Sequence, residues 1–514
     1  MRTVVAWWGV TVLVGTSVSL ATPANAQQPP LPAPPVAAPP VAAPAAPVTQ
    51  DTSTTPLPVP TELTQVRPGG LTAGQVGARA AATSWNAKAF EANLRGAAAR
   101  VDEAWAAFLP RLSGIGKYTR LSNFTPPSIF SIPAGVNLVG TTDPAGSVGP
   151  KDTVSVPISF SFPFFKLDNW LLEASLTIPI SDYFLRIDQN YTAATHSQEA
   201  ARWDVIGARA SSWANGAAAY YTWLRARGAV VVAVQALNDQ KTHLRDGRNQ
   251  FAVGNASKAD VLRAETSVAS AELTLERARN LADLSEKQLR VAIHAKDEEA
   301  IVPGEDLELR PEAIQGNAKQ MTVEALASRP EVKSADANAA AAREEWSAAK
   351  AGRYPVLSAF GDGIMGNPNP RQIPPANVWL GTWDVGAQVT WSPNDILVAN
   401  GSVSDNESRV AAIEANKNNV RDSIEVEVTQ TMQSVHEADF SLEASTRELA
   451  SADEAYRVAR ELFNNGRGTS TTLTDAETDL TRARLDLLNA KADARIARIR
   501  LEHALGRDAK VAAP

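Results

Sequence analysis

No cysteine occurs among the 514 residues, so a disulfide framework, a zinc–thiolate centre, an iron–sulfur cluster and a cysteine nucleophile are all excluded. Histidine is nearly as scarce. His196, His243, His294, His436 and His503 stand singly, without the H-E-x-x-H or paired spacing that a metal site on a helix needs. Aromatic residues make up only 6%, while alanine is overused, which leans towards long helices rather than an aromatic-rich globular core. Neither sign of charge dominates. The 49 basic and 56 acidic residues leave a formal charge of −7, and nucleic-acid binding, which needs a basic face, is not the expected task. Beyond the N-terminus the longest candidate stretch, from Ala229 to Leu237 and broken by Gln235, is half of the ~18 residues that span a bilayer as a helix. A mean hydropathy of −0.18 agrees. There is no P-loop and no G-x-S-x-G elbow, so neither catalysis, a cofactor nor a resident metal is expected. Gly361 to Gly366 spells G-x-G-x-x-G, but Asn367-Pro368-Asn369-Pro370 follows at once. A dinucleotide fingerprint opens a helix, and this stretch is expected to form a turn or loop instead.

What is present begins with an export signal. Arg2 precedes an apolar stretch from Val4 to Leu20, and Ala24-Asn25-Ala26 gives an A-x-A cleavage site, so residues 1–26 read as a signal peptide. Gln27, not cysteine, follows the cleavage site, which excludes an N-terminal lipid anchor there. Residues 27–60 hold 12 prolines. Such a segment is expected to be an extended, disordered linker.

The remainder repeats itself. Phe251, Gly254 and Ala264-Glu265-Thr266 recur as Phe463, Gly466 and Ala476-Glu477-Thr478, always 212 residues on. Leu109-Pro110 is echoed by Tyr354-Pro355. The spacing predicts a first repeat over 61–295, with a helical hairpin at 182–295. A second repeat is predicted over 296–514, with a hairpin at 395–506. Val261, Val268, Leu275, Ala282 and Leu289 are seven apart, and so are Leu473, Leu480, Leu487, Ala494 and Leu501; alanines or a serine fall three residues after each. That is a heptad seam with small residues at one position. Leu485, Leu488 and Ile499 lie off it, so each helix is expected to pack on more than one side. Proline is absent from 182–250 and 395–462, stretches of about 100 Å if helical. Gly254 and Gly466 then read as helix C-caps followed by tight turns and new N-caps.

Ahead of each hairpin come strands of period two, near 111–121, 168–180, 356–366 and 379–391. Trp170, Trp379, Trp383 and Trp391 fall in or beside them. Apolar alternation with interfacial aromatics in an exported chain suits an outer-membrane barrel. Four strands cannot close one, since a barrel needs about eight and backbone groups in lipid must all be paired. Several chains must share it. The alternating stretch 154–164 is surplus to this count, and its Pro157 and Pro163 argue against a central strand.

The duplicated order, the two glycine turns, Ser328-Arg329-Pro330-Glu331-Val332 and the closing His503-Ala504-Leu505-Gly506 together resemble the TolC-like outer-membrane efflux proteins over roughly 61–508. The resemblance implies a mostly α fold with β: duplicated helical hairpins forming a periplasmic α-barrel tunnel, and four strands contributing to a trimeric, 12-stranded outer-membrane barrel. It implies an equatorial region including Pro303 to Ala327. It further implies a passive exit duct in a tripartite efflux or type I secretion system, whose energy comes from an inner-membrane pump through a periplasmic adaptor. Adaptor-contact tips would be Val253, Gly254, Asn255, Asn465, Gly466 and Arg467. Of two acidic gate positions at the periplasmic entrance, Asp475 matches one and Thr472 departs from the other; Asp260 is the acidic residue near the first tip. The competing reading is a periplasmic coiled-coil structural or adaptor protein that does not span the membrane, which should carry one hairpin rather than two.

Overall fold

A computed structural model describes residues 58, 66–122, 131–137, 153–159, 167–296, 298–314, 316–373 and 375–509. Apart from Pro58, the expected signal peptide and linker lie outside these residues.

Two helices that the repeat pattern did not announce open the fold. Helix α1 (Ala73–Thr83) starts at a capping box between Thr72 and Gln75, and α2 (Trp85–Ala106) starts at Ser84. Strand β1 (Arg111–Arg120) leads through a two-stranded ribbon, β2 (Ser131–Asn137) and β3 (Thr153–Ser159), to β4 (Asp168–Ile178). A single turn, α3 (Ile180–Asp182), and a π-turn at Tyr183–Ile187 pass into α4 (Asp188–Ala252), 65 residues long. Helix α5 (Lys258–Ala292) runs back along it. The second copy follows with α6 (Ala318–Ser328), α7 (Pro330–Lys350), β5 (Val356–Asn367), β6 (Leu380–Thr390), the 72-residue α8 (Pro393–Asn464) and α9 (Ser470–Ala504). Among the described residues no helix is long and apolar enough to cross a membrane.

The main sheet is antiparallel, in the order β1-β4-β5-β6. The pairing of β4 with β5 joins the two copies, and β1 and β6 are left as open edges. The segment that looked surplus is accounted for as far as Ser159. It is β3, paired with β2 outside the main sheet, with Pro157 directly opposite Pro133; a ribbon with two free edges tolerates residues that cannot donate. Residues 160–164 lie outside the described residues. The G-x-G-x-x-G stretch is strand, not turn. Gly361 and Gly363 continue the ladder opposite Leu176 and Ala174, and the chain turns only after Asn367.

The heptad seams are the cores of the hairpins. Val261, Ala264, Val268 and Leu275 pack on Val230, Val234, Leu237 and Leu244 of α4. Off-seam residues join the hairpins to each other: Ile496 and Ile499 enter a cluster with Tyr220 and Trp223 of α4, and a Cβ on Gly228 of α4 would lie 2.7 Å from the Leu488 side chain. Since α5 and α9 are about half the length of α4 and α8, the strand-proximal halves of the long helices are covered by α2 and α7. An irregular strap before α6 binds both hairpins. Glu305 accepts from the Tyr221 hydroxyl (2.5 Å) and the Ala73 amide (2.7 Å), and Arg495 of α9 donates to the carbonyls of Asp306 and Leu309.

Candidate functional site: twin hairpin tips and an amphipathic sheet

Both hairpins close with the same turn. In the first, the Asn255 amide donates to the Gln250 carbonyl (2.8 Å) and the Gly254 amide to Phe251 (3.1 Å); in the second, Arg467 donates to Leu462 (2.9 Å) and Gly466 to Phe463 (3.0 Å). Each partner lies 212 residues from its counterpart. Gly254 and Gly466 adopt φ of +82° and +68°, the left-handed cap that a Cβ disfavours. No atom lies within 4 Å of where a Cβ would sit on either, so backbone conformation alone demands glycine here. Val253, Asn255, Asn465 and Arg467 are exposed around the turns. The tips touch. Gln250 donates to the Asn464 carbonyl (3.2 Å), and Arg263 donates to the Thr471 hydroxyl (3.3 Å).

The expected gate residues separate by local chemistry. Asp260 closes a capping box: it accepts from the Ser257 amide (3.0 Å) and hydroxyl (2.6 Å), with Arg263 at 3.2 Å. The Ser257 hydrogen bonds hold its carboxyl below the usual range. Thr472 fills the equivalent third helical position of α9, its amide donating to the Thr469 hydroxyl (3.2 Å). Asp475, nearly one turn on, is exposed. Its counterpart in the first copy is Arg263.

One cluster at the tips was missed from sequence, where His243 was one of five isolated histidines. Its Nδ1 lies 3.1 Å from Oε2 of Glu477 and its Nε2 3.4 Å from the Ser470 hydroxyl. The ring packs edge-on against Phe463 at 5.3 Å. The His243 and Glu477 side chains are 1% and 2% exposed, so the pair ties α4 of one hairpin to α9 of the other without solvent. Burial pushes the Glu477 carboxyl above its usual range, and the His243 contact pulls it partly back. The available signal was the spacing Leu473, Glu477, Leu480, which puts a carboxylate into an apolar stripe. Above the tips, an open groove of about 670 Å³ runs between α4, α5 and α9, lined by Gln240, Ser270, Thr478, Arg482 and Leu485. Among the described residues no three His, Asp or Glu side chains gather as a metal site.

At the other end of the helices, the main sheet has two unlike faces. Aligned residues such as Leu112, Leu176, Gly361 and Val385 form rows across the strands. Their face also carries Tyr118, Trp170, Leu172, Met365, Trp383 and Val389 and has charge only at its far rim, where Asp168 binds Tyr118 (2.7 Å) and Arg120 (3.2 Å). The opposite face carries Arg111, Lys117, Glu173, Asp362, Asp384 and Gln388. Trp170 and Trp383 lie within strands on the apolar face, while Trp379 and Trp391 bracket β6 by one residue at either end; all four are exposed. Eleven residues at ~3.4 Å, tilted ~40°, rise about 28 Å, close to the ~25 Å apolar band of an outer-membrane barrel.

No curated protein matches this sequence. Among solved structures, the outer-membrane channel OprN superposes with a TM-score of 0.69 at 17% identity, covering 84% of this chain and 89% of that one. The Campylobacter jejuni CmeC outer membrane channel gives 0.64 at 15%, covering 87% and 91%. The open state of the Neisseria gonorrhoeae MtrE outer membrane channel gives 0.65 at 17%, covering 84% and 88%. At such identities the likeness concerns the fold. The family model for outer membrane efflux proteins matches residues 78–293 and 321–507, one segment in each repeat and most of the chain, and the protein therefore belongs to the outer membrane efflux protein family.

Proposed function

We propose that this efflux channel works as a homotrimer and as the passive exit duct of a tripartite efflux or type I secretion system, energised by an inner-membrane pump through a periplasmic adaptor. The observation that carries the reading is the polarity of the protomer. One end is an amphipathic sheet with open edges β1 and β6, and the other, about 100 Å away along α4 and α8, is a pair of touching tips built by one repeated turn. In lipid an open edge must be paired, so β6 of one copy meets β1 of the next; three copies supply twelve strands. Trp170, Trp379, Trp383 and Trp391 anchor the barrel in outer-membrane lipid at its interfaces. The tips hang in the periplasm, where Val253, Gly254, Asn255, Asn465, Gly466 and Arg467 meet the adaptor, and the open groove above them offers it a seam between hairpins. A non-spanning periplasmic adaptor fits less well, because this chain holds two hairpins and a barrel-like sheet and belongs to a channel family.

In the trimer, three Asp475 carboxylates gather at the narrow periplasmic entrance and make a local negative field there. Asp260 serves chiefly to close the cap of α5, and Thr472 lends its backbone amide to the Thr469 cap of α9. The test is single-channel recording of the purified trimer in planar bilayers. Cation selectivity should fall in Asp475→Asn and hold in Asp260→Asn; a trimer that conducts nothing refutes the duct, and unchanged selectivity in Asp475→Asn refutes the gate.

A further inference from the structure

Residues 368–372, where the chain leaves β5, fold back over the polar face of the sheet. Gly366 is buried because that segment lies on it: a Cβ there would come within 3.1 Å of the Pro368 carbonyl oxygen, 3.2 Å of Asn369 Cα and 3.2 Å of Pro370 Cδ. By strand alternation this Cβ would share the face of Ile364 and Asp362, the polar one. Asn369 is only 1% exposed. Its side-chain amide donates to the Leu380 carbonyl (2.8 Å) and the Thr382 hydroxyl (3.2 Å), and its carbonyl oxygen accepts from the Arg371 amide (2.8 Å). Arg371 then reaches down the same face to Asp384, with Nη2 2.5 Å from Oδ1. From Leu380 to Asp384 these contacts descend four residues of β6, roughly 13 Å along the strand.

The polar face of a closed outer-membrane barrel is its lumen, and the β5–β6 turn lies at the end of the sheet away from the helices. We propose that residues 368–372 form an inward collar at the outer mouth, latched by Arg371 on Asp384 and present once per protomer, and that this collar sets the largest solute able to pass the exit. The proposal rests on the outer-membrane channel reading. Its chemistry differs from that of the periplasmic entrance: the collar restricts by the space that the folded turn fills, held down by Arg371 on Asp384, whereas Asp475 acts by charge. The latch stands where electrostatics can release it. Asp362 sits directly opposite Asp384 in the ladder, so two carboxylates face the Arg371 guanidinium, and replacing that cation with an anion puts three acids together.

The test exploits the absence of native cysteine. Gln388→Cys places one thiol on the polar face near the periplasmic end of β6, below the collar. Intact cells carrying this protein are treated with a small charged maleimide or with a ~5 kDa polyethylene-glycol maleimide too large for general porins. The small reagent should label every variant, which reports a folded channel with an accessible lumen. The large reagent should label the Gln388→Cys protein slowly, and the added change Arg371→Glu should speed this about tenfold, the ratio that 1.4 kcal/mol produces. Adding Asp384→Lys to Arg371→Glu reverses both charges of the latch and should restore slow labelling. Equal rates with the large reagent in all three proteins, or no restoration by the double change, overturn the collar. Failure of the small reagent to label the thiol at 388, with labelling of one at 389 instead, would overturn the assignment of the lumen face.

Discussion

Replacing His243 by leucine should loosen the contact between hairpins at the tips, and should do so more at high pH than at low. The ring nitrogen lies 3.1 Å from a carboxylate that is itself 2% exposed. Leucine fills the ring's space against Phe463 but leaves Glu477 without its partner. Burial already raises the Glu477 carboxyl, and the His243 contact is what lowers it again, so its loss raises the folded-state pKa further. A carboxyl whose folded pKa lies above its unfolded value favours the folded state fully below the unfolded pKa, and loses that advantage as pH rises through the folded one. At pH 4, below the ordinary carboxylate value, the substitution should therefore cost about 1 kcal/mol, the worth of one hydrogen bond. At pH 8 it should cost about 3 kcal/mol, the lower end for breaking a buried pair.

Hydrogen–deuterium exchange of the trimer reads this locally, at the amides of Ser470 to Leu480, after correction for the intrinsic pH dependence. Roughly 1.4 kcal/mol is tenfold in an opening equilibrium, so exchange should quicken about fivefold at pH 4 and somewhat over a hundredfold at pH 8. Adding Glu477→Gln removes the charge and should abolish the pH dependence of the effect while leaving the hydrogen-bond cost. Equal acceleration at both pH values, or a pH dependence that survives Glu477→Gln, would refute the reasoning.

Other outcomes follow from positions where the physical cause is single. Gly254→Ala and Gly466→Ala should each cost about 1–2 kcal/mol through the left-handed φ alone, seen as faster exchange of the turn amides, and together should weaken cross-linking to an adaptor. Val385→Lys, on the apolar face at mid-strand, should cost about 2–4 kcal/mol in lipid and cut the yield of heat-resistant outer-membrane trimer, whereas Gln388→Lys on the polar face should leave yield unchanged. His294 holds φ +50° while its ring packs on Trp85 and its Nδ1 lies 3.1 Å from the Thr83 hydroxyl. Both glycine and alanine forfeit those contacts, but only glycine relieves the backbone, so His294→Gly should melt as though about 1 kcal/mol more stable than His294→Ala.

Periodicity reveals only what is periodic. The seam from Val261 to Leu289 was legible because a buried helix face repeats every seven residues, and the sheet was legible because its faces alternate. Helices α1 and α2 escaped because their buried positions are alanine and glycine apart from Val76, so no spaced large aliphatics mark a face. The G-x-G-x-x-G stretch misled because glycine marks turns and strands facing a close neighbour alike; only the ladder tells which. His243 and Glu477 are 234 residues apart, and the Arg371 latch depends on a turn folding inward instead of outward. Neither contact has a local signature.

The duplication supplies its own control at the tips, because both copies build the same turn and then diverge just beyond it. At the third helical position the copies already differ: the Asp260 carboxylate closes the capping box begun by Ser257, whereas Thr472 contributes its backbone amide to the Thr469 hydroxyl. Three residues on, the copies carry opposite charges. Arg263 spends its guanidinium on Asp260 and on Thr471 of the other hairpin, so its role is to hold the tips together. Asp475 has no cap to close, because Thr469 bonds Thr472, and it stands exposed with no ion-pair partner among the described residues. A helix end gains little from a carboxylate beyond its first turn. Capping thus explains Asp260 and leaves Asp475 unexplained, and the acid that local structure does not need is the one that ion selectivity should report.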